Sequence, residues 1–214
     1  MRTGEYIIQL AGEEFYLLPQ KAVYRPLRNQ LIVADVHLGK ASHFRKHGIA
    51  MPGQSHLKDL DTLDYLLRRY RPETFVVLGD LFHSEYNREW LWFRSLVLGF
   101  PDVQFILVEG NHDILSAVTY ELPNLLRTDV LEENKLLFSH HPLNDPAMLN
   151  VCAHVHPGLR ITGVARQSVT LPCFYLDTTH FILPAFGNLT GLFLLEQRED
   201  AQYFVVGNSR VIKL

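Results

Sequence analysis

Cysteine is almost missing from this chain: Cys152 and Cys173 are its only thiols. They lack the Cys-x-x-Cys spacing of a thiolate zinc site, and two small apolar residues in a reducing compartment are expected rather than a disulfide. No stretch approaches the ~18 uninterrupted apolar residues that span a bilayer, so no membrane association is expected. Met1 to Glu5 lead into a strand-like segment without the apolar core of a signal peptide, which predicts a cytoplasmic protein. Positive charge is not in excess either. Lys and Arg number 20 against 23 Asp and Glu, a net charge of −3. A polyanion must therefore be drawn by a local patch or by bound metals, not by a global field. Repeats, low-complexity tracts and linkers are also lacking. With 47% hydrophobic and 20% charged residues, the chain is predicted to form a single domain over residues 1–214 with a substantial core.

What the chain does have is metal-ligand chemistry. Asp35-Val36-His37, Gly79-Asp80, Gly110-Asn111-His112-Asp113, His140-His141-Pro142 and His154-Val155-His156 follow one another in order. Carboxylate, imidazole and amide oxygen suit first-row divalent cations. The donors are too numerous for one tetrahedral zinc and fit a bridged pair of metals. In Asp35-Val36-His37 and His154-Val155-His156 the i and i+2 side chains are expected to share one side of an extended segment. Asp80, at a tight turn, could give one oxygen to each of two metals about 3.5–4 Å apart. Asn111 offers a neutral oxygen.

The clusters sit at the ends of apolar runs. Leu31–Ala34, Thr74–Leu78, Gln104–Val108 and Leu136–Phe138 each read as a buried strand followed by ligands. A hairpin is predicted around Gly12-Glu13, with a further short strand over Ala22–Tyr24. Leu57, Leu60, Leu63, Leu66, Leu67 and Tyr70 give a helical face starting near Ser55. Trp90, Phe93, Leu96 and Val97 give a second. Past Arg160 short strands alternate with Gly, Pro and Asn turns. The predicted class is α/β, with two packed mixed β-sheets flanked by helices in an α/β/β/α sandwich.

These five blocks resemble the calcineurin-like metallophosphoesterases, whose ordered pattern is Asp-x-His, Gly-Asp, Gly-Asn-His-Asp/Glu, His and Gly-His-x-His. Ala153 replaces the usual glycine before the last pair, which removes no ligand. The resemblance implies one metal on Asp35, His37, Asp80 and His156 and another on Asp80, Asn111, His140 and His154. His140 is preferred to His141, which is expected to face substrate. It also implies His112 as the acid that protonates the leaving group, oriented by Asp113. Two divalent ions are implied, manganese first, with iron, zinc or magnesium as alternatives. A narrower resemblance, to the bacterial ligase-associated metallophosphoesterases, rests on residues 35–49, Pro52-Gly53 and Leu183–Gly191. It implies DNA repair beside a DNA ligase and a helicase.

Lys40, His43, Arg45, Lys46 and His47 form a basic cluster around Phe44. Lys40 and Arg45 are expected to contact substrate phosphate, against the plain alternative of a solvated surface. The leading reading is a phosphodiesterase or endonuclease acting on DNA. A phosphatase or phosphodiesterase of small cyclic nucleotides needs the same metals but a closed pocket. A scaffold that keeps the fold as a binding module would not need the full ligand set.

Overall fold

The computed structural model describes residues 4–40, 55–82, 88–115, 120–163 and 167–214. A first sheet holds seven strands in chain order: β1 (Tyr6–Leu10), β2 (Glu13–Leu18), β3 (Ala22–Arg25), β4 (Gln30–Ala34), β5 (Thr74–Leu78), β6 (Gln104–Val108) and β7 (Leu125–Thr128). The hairpins make β1 to β4 antiparallel. Parallel pairing from β4 onward requires crossovers. Helix α1 (Ser55–Tyr70) provides the β4–β5 crossover and α2 (Arg88–Gly99) the β5–β6 crossover.

Every residue of β4 is buried, because the sheet is covered on both faces. Outward, Val33, Phe75, Val77 and Phe105 pack with Leu63, Leu66, Leu67, Phe93 and Val97 from the two helices. Inward, Ile32, Ala34, Val76 and Leu78 meet Phe138, Val151, Phe174, Phe181 and Phe204 of a second sheet. Burying each of the larger of these side chains stabilises the fold by about 1.5–3 kcal/mol.

The second sheet is built from β8 (Val130–Glu133), β9 (Leu136–Ser139), β10 (Leu149–Cys152), β11 (Pro157–Thr162), β12 (Ser168–Leu176), β13 (His180–Ile182), β14 (Phe193–Leu194), β15 (Gln202–Val206) and β16 (Val211–Lys213). β9, β10 and β13 run parallel at its centre. β12 changes partners along its length, from β11 to β13 and β15. The predicted two-sheet α/β sandwich is the observed one. Both described helices lie against the first sheet. The outer face of the second sheet carries a smaller cluster of Cys152, Cys173, Tyr175, Ile182, Tyr203 and Val205. Both thiols are free and buried, as expected for small core residues.

A polar network centred on Arg25 is buried between the sheets. The fully buried Arg25 guanidinium donates to Glu13 on β2 (2.8 Å), to Gln30 on β4 and to Glu133 on β8, and Gln30 donates onward to Glu133 (2.9 Å). Its plane lies over the Phe15 and Phe138 rings. Burial would raise the Glu13 carboxyl, but Arg25 and Arg28 hold it below its ordinary value. Arg25→Ala leaves Glu13 buried without its closest cation, with only the half-exposed Arg28 at 3.4 Å beside it. It is expected to cost about 3–5 kcal/mol in denaturant unfolding, whereas a lost surface pair would cost under about 1 kcal/mol.

Candidate metal centre

Registers carry the ligands to one place. Ala34, Leu78 and Val108 lie side by side at the carboxyl ends of β4, β5 and β6, so Asp35, Asp80 and Asn111 leave the first sheet together. β9 and β10 end likewise, and Ala153 N–H bonds to His140 O at 3.0 Å, which sets His140 beside His154.

The segments do not leave as extended strands. Asp35, His37, Asp80, His154 and His156 all have φ between 49° and 66°. The expectation of i and i+2 side chains on an extended stretch is therefore corrected. Each ligand pair converges through left-handed residues flanking one ordinary one. Such a conformation costs non-glycine residues about 1–3 kcal/mol apiece and persists only where the surroundings impose it. Here Asp35 N–H bonds to Gly79 O (3.2 Å), His37 N–H to Asp80 O (2.8 Å) and Leu38 N–H to Leu81 O (2.9 Å). Gly79 (φ +70°) must lack a side chain, since a Cβ there would lie 2.2 Å from His140 Nδ1.

The donor atoms face one another. His140 Nδ1 lies 3.1 Å from the Leu78 carbonyl, an acceptor, so Nδ1 carries the proton and Nε2 presents its lone pair. That lone pair looks at His154 Nδ1 (3.1 Å), Asn111 Oδ1 (3.1 Å) and Asp80 Oδ1 (3.5 Å). On the other side His37 Nε2 lies 3.5 Å from His156 Nε2 and 3.6 Å from Asp80 Oδ2. His156 Nε2 is 3.4 Å from Asp35 Oδ1, which is buried and accepts no hydrogen bond. Donors sharing one metal at about 2.1 Å sit roughly 3.0–3.5 Å apart, the spacing found here. Lone pairs so opposed call for cations between them. Asp80 serves both groups, one oxygen on each side. All seven predicted ligands thus come together. His141 joins the second group, its exposed ring 4.1 Å from that of His154.

The sequence profile of the calcineurin-like phosphoesterases matches residues 29–184. The chain belongs to this family. As a member it is a metal-dependent phosphoester hydrolase with a site for two divalent ions, and the donor set fits that requirement. Among solved structures, the nuclease MPE of Pseudomonas putida is similar at 26% identity and a TM-score of 0.83, over 98% of this chain and 100% of that one. A phosphoesterase of E. coli, Yfce, aligns at 15% identity with a TM-score of 0.41 over 84% of this chain and 88% of its own. A protein of unknown function from Aquifex aeolicus, AQ665, aligns at 20% identity and 0.41 over 59% of this chain and 78% of its own. No curated protein sequence matches.

Other residues of this phosphoesterase surround the ligands. His112 donates its backbone N–H to Asp80 Oδ1 (2.9 Å), and its ring lies edge-on to His37 at 5.5 Å. Asp113 is buried, and its carboxylate accepts the backbone N–H groups of Leu81 (2.9 Å), Phe82 (3.3 Å) and Gly110 (3.0 Å). Burial pushes its carboxyl up to about 6 against the pull of those amides, with Asp80 adding to the rise. Lys40 is half-buried, and burial lowers its ammonium while Asp80 and Asp35 raise it, so it lies within the field of both carboxylates. Arg45 and the rest of the basic cluster beyond Lys40 fall outside the described residues, as does His83.

Sequence reasoning missed a brace behind Asp35. On α1, buried Asp59 accepts from Asn188 Nδ2 at 2.6 Å and from its backbone N–H at 3.3 Å. Next door, Phe186 N–H bonds to Ala34 O (2.7 Å) and Gly187 N–H to Asp35 O (3.1 Å). A Cβ on Gly187 would meet Val36 O at 2.4 Å, so the strap lies flat on the ligand loop. The available signal was a carboxylate at helical spacing from Leu63 and Leu66, on the apolar face. Burial pushes the Asp59 carboxyl up to about 6, against Asn188 and the Lys21 charge.

Two outcomes follow. Chelation should lower the melting temperature, and saturating manganese should restore it by about 5–10 °C, as expected for ~2.7 kcal/mol of binding linkage at a hundredfold excess over Kd. Differential scanning fluorimetry reads this directly, and an unchanged melting point would contradict a high-affinity centre. For Asp59, the native carboxyl ionises later than the unfolded one. The native state therefore binds the extra proton between pH 4 and 6, and stability falls as pH rises through that window. Asp59→Asn removes this loss, so its melting temperature should gain on that of the wild type from pH 4 to pH 7. A constant difference across that range would contradict the assignment.

Proposed function

We propose that this phosphoesterase hydrolyses phosphodiester bonds in DNA, using two manganese ions, within a ligase-associated repair system. The observation that carries the reading is likeness over nearly the whole chain to a protein described as a nuclease. The exposure of Asn111, His141 and His154 also supports it, because a donor cluster open on one side admits a polymer. The ligase and helicase partners rest on the residue 35–49 and 183–191 resemblance.

In this reading Asp35, His37, Asp80 and His156 hold one metal, and Asp80, Asn111, His140 and His154 the other. The bound pair would neutralise charge on the phosphoryl oxygens and acidify water near neutral pH. His112 holds the proton that goes to the leaving alkoxide. Asp113 positions it by fixing the turn that carries Gly110, Asn111 and His112. Lys40 and His141, with Arg45, contact the phosphates flanking the cut.

The test is a metal-resolved panel of single-stranded, duplex and flap DNA, 2′,3′-cyclic nucleotide and bis-nitrophenyl phosphate. DNA cleavage strongest with manganese is expected. Turnover of the cyclic nucleotide alone would replace this reading with a small-nucleotide phosphodiesterase. On the same panel His112→Ala should lose about 10²–10⁴-fold on DNA, whose leaving group is poor, and far less on the nitrophenyl ester. Equal losses on both would remove the acid role.

A further inference from the structure

A cavity of about 480 Å³ lies away from the donor cluster, on the outer face of the second sheet. Tyr175, His180 and Ile182 form its floor, and Pro142, Phe193 and Leu194 rise at its sides. Both walls begin at the metal centre. Pro142 directly follows His140-His141, and Phe193 N–H bonds to His156 O at 2.9 Å. The far end is His180, paired in register with Asn150. Asn150 lies two residues before Cys152, where β10 ends and the turn to His154 begins, so His180 sits about 7 Å along the strands from that end.

Three features define what it would hold. Phe193 and Leu194 are 62% and 41% exposed at its mouth, an apolar edge that gains contact only from a flat or apolar guest. His180 Nε2 is buried in the lining and has no hydrogen-bond partner. Its other nitrogen lies 2.8 Å from Thr179 Oγ1, and the Thr179 hydroxyl gives its proton to Asp177 Oδ1 at 3.0 Å. His180 Nδ1 is then the donor to Thr179, and Nε2 is left as an acceptor awaiting an N–H. Asp177 is committed elsewhere: it also accepts from Tyr175 Oη and from the His180 N–H, bonds that hold its carboxyl low despite burial. Glu196 and Arg198 also line the cavity, and its volume, aromatic edge and unpartnered His180 nitrogen fit a planar heterocycle bearing an N–H group.

We propose that this cavity takes an unpaired nucleobase of the strand being cut, stacked on Phe193 and hydrogen-bonded by His180 Nε2, a short step from the scissile phosphate. The inference rests on the DNA reading above and narrows it to strands with an unstacked base near the cut. A base held within a duplex presents neither a free face nor a free edge to such a cavity.

The experiment is an abasic scan. Oligonucleotides with a single abasic site at each position around the cut are cleaved by wild type, Phe193→Ala and His180→Ala, all confirmed folded by circular dichroism melting. For wild type, one position should lower kcat/KM about tenfold when its base is removed. In Phe193→Ala that abasic penalty should shrink below about threefold, since the stacking partner is already gone. In His180→Ala any preference among the bases at that position should weaken, while the abasic penalty due to stacking remains. A flat scan for wild type, or an unchanged penalty in Phe193→Ala, would overturn the proposal while leaving DNA cleavage intact. Failure of wild type to cut any DNA with any metal would overturn both readings together.

Discussion

Opposed lone pairs dominate this molecule. Four imidazoles, two carboxylates and one amide oxygen converge with few protons between them, and Asp35 Oδ1 is buried without any. In a protein interior such a cluster repels itself until a cation enters. The remaining structure supplies the force that holds it together meanwhile. Two apolar layers flank the first sheet, and every residue of its β4 strand is inaccessible to water. Because the supporting strands cannot move independently in a close-packed core, the donors are fixed before any ion arrives.

The same demand explains the backbone. Five ligand residues sit in the left-handed region, where side chains leave a strand end at angles that an extended chain denies them. Local hydrogen bonds and straps keep them there. Asp113 gathers three amides around the Gly79-Asp80 and Gly110-Asn111 turns, and the Asp59–Asn188 contact presses the Phe186-Gly187 strap onto Asp35. Both carboxyls are raised by burial, so stability is spent at two points that serve the centre and nothing else visible in the core.

Much of this was legible in the amino-acid order, and the boundary is physical. Apolar runs ending in ligands gave β4, β5, β6 and β9 with their donors, because burial and metal chemistry both leave marks in residue type. The left-handed angles left no such mark. Asp and His are not glycine, and the pattern Asp35-Val36-His37 reads equally well as extended. Contacts between distant segments were hidden for another reason. Arg25 with Glu133 and Asp59 with Asn188 pair across more than a hundred positions, and nothing local to either residue names its partner. The weakly apolar strands β7 and β8 were missed because their exposed positions blur the period on which strand reading depends.

Exposure divides the centre unequally, and this shapes how a substrate can enter. Asp35, His37, Asp80 and His140 are buried, whereas Asn111, His141 and His154 are open. In the proposed assignment one metal therefore lies deeper, held mainly by the first sheet and its turns. The other lies nearer the surface, where the second sheet contributes two of the four ligands, His140 and His154. A phosphate must arrive from the Asn111–His154 side, since the opposite side is closed by the apolar core. That is also the side from which His141 leads into Pro142 and the wall of the outer cavity. In the proposed DNA reading, a strand whose phosphate met the open metal there would have its next bases directed along the second sheet's outer face, which no described helix or sheet covers.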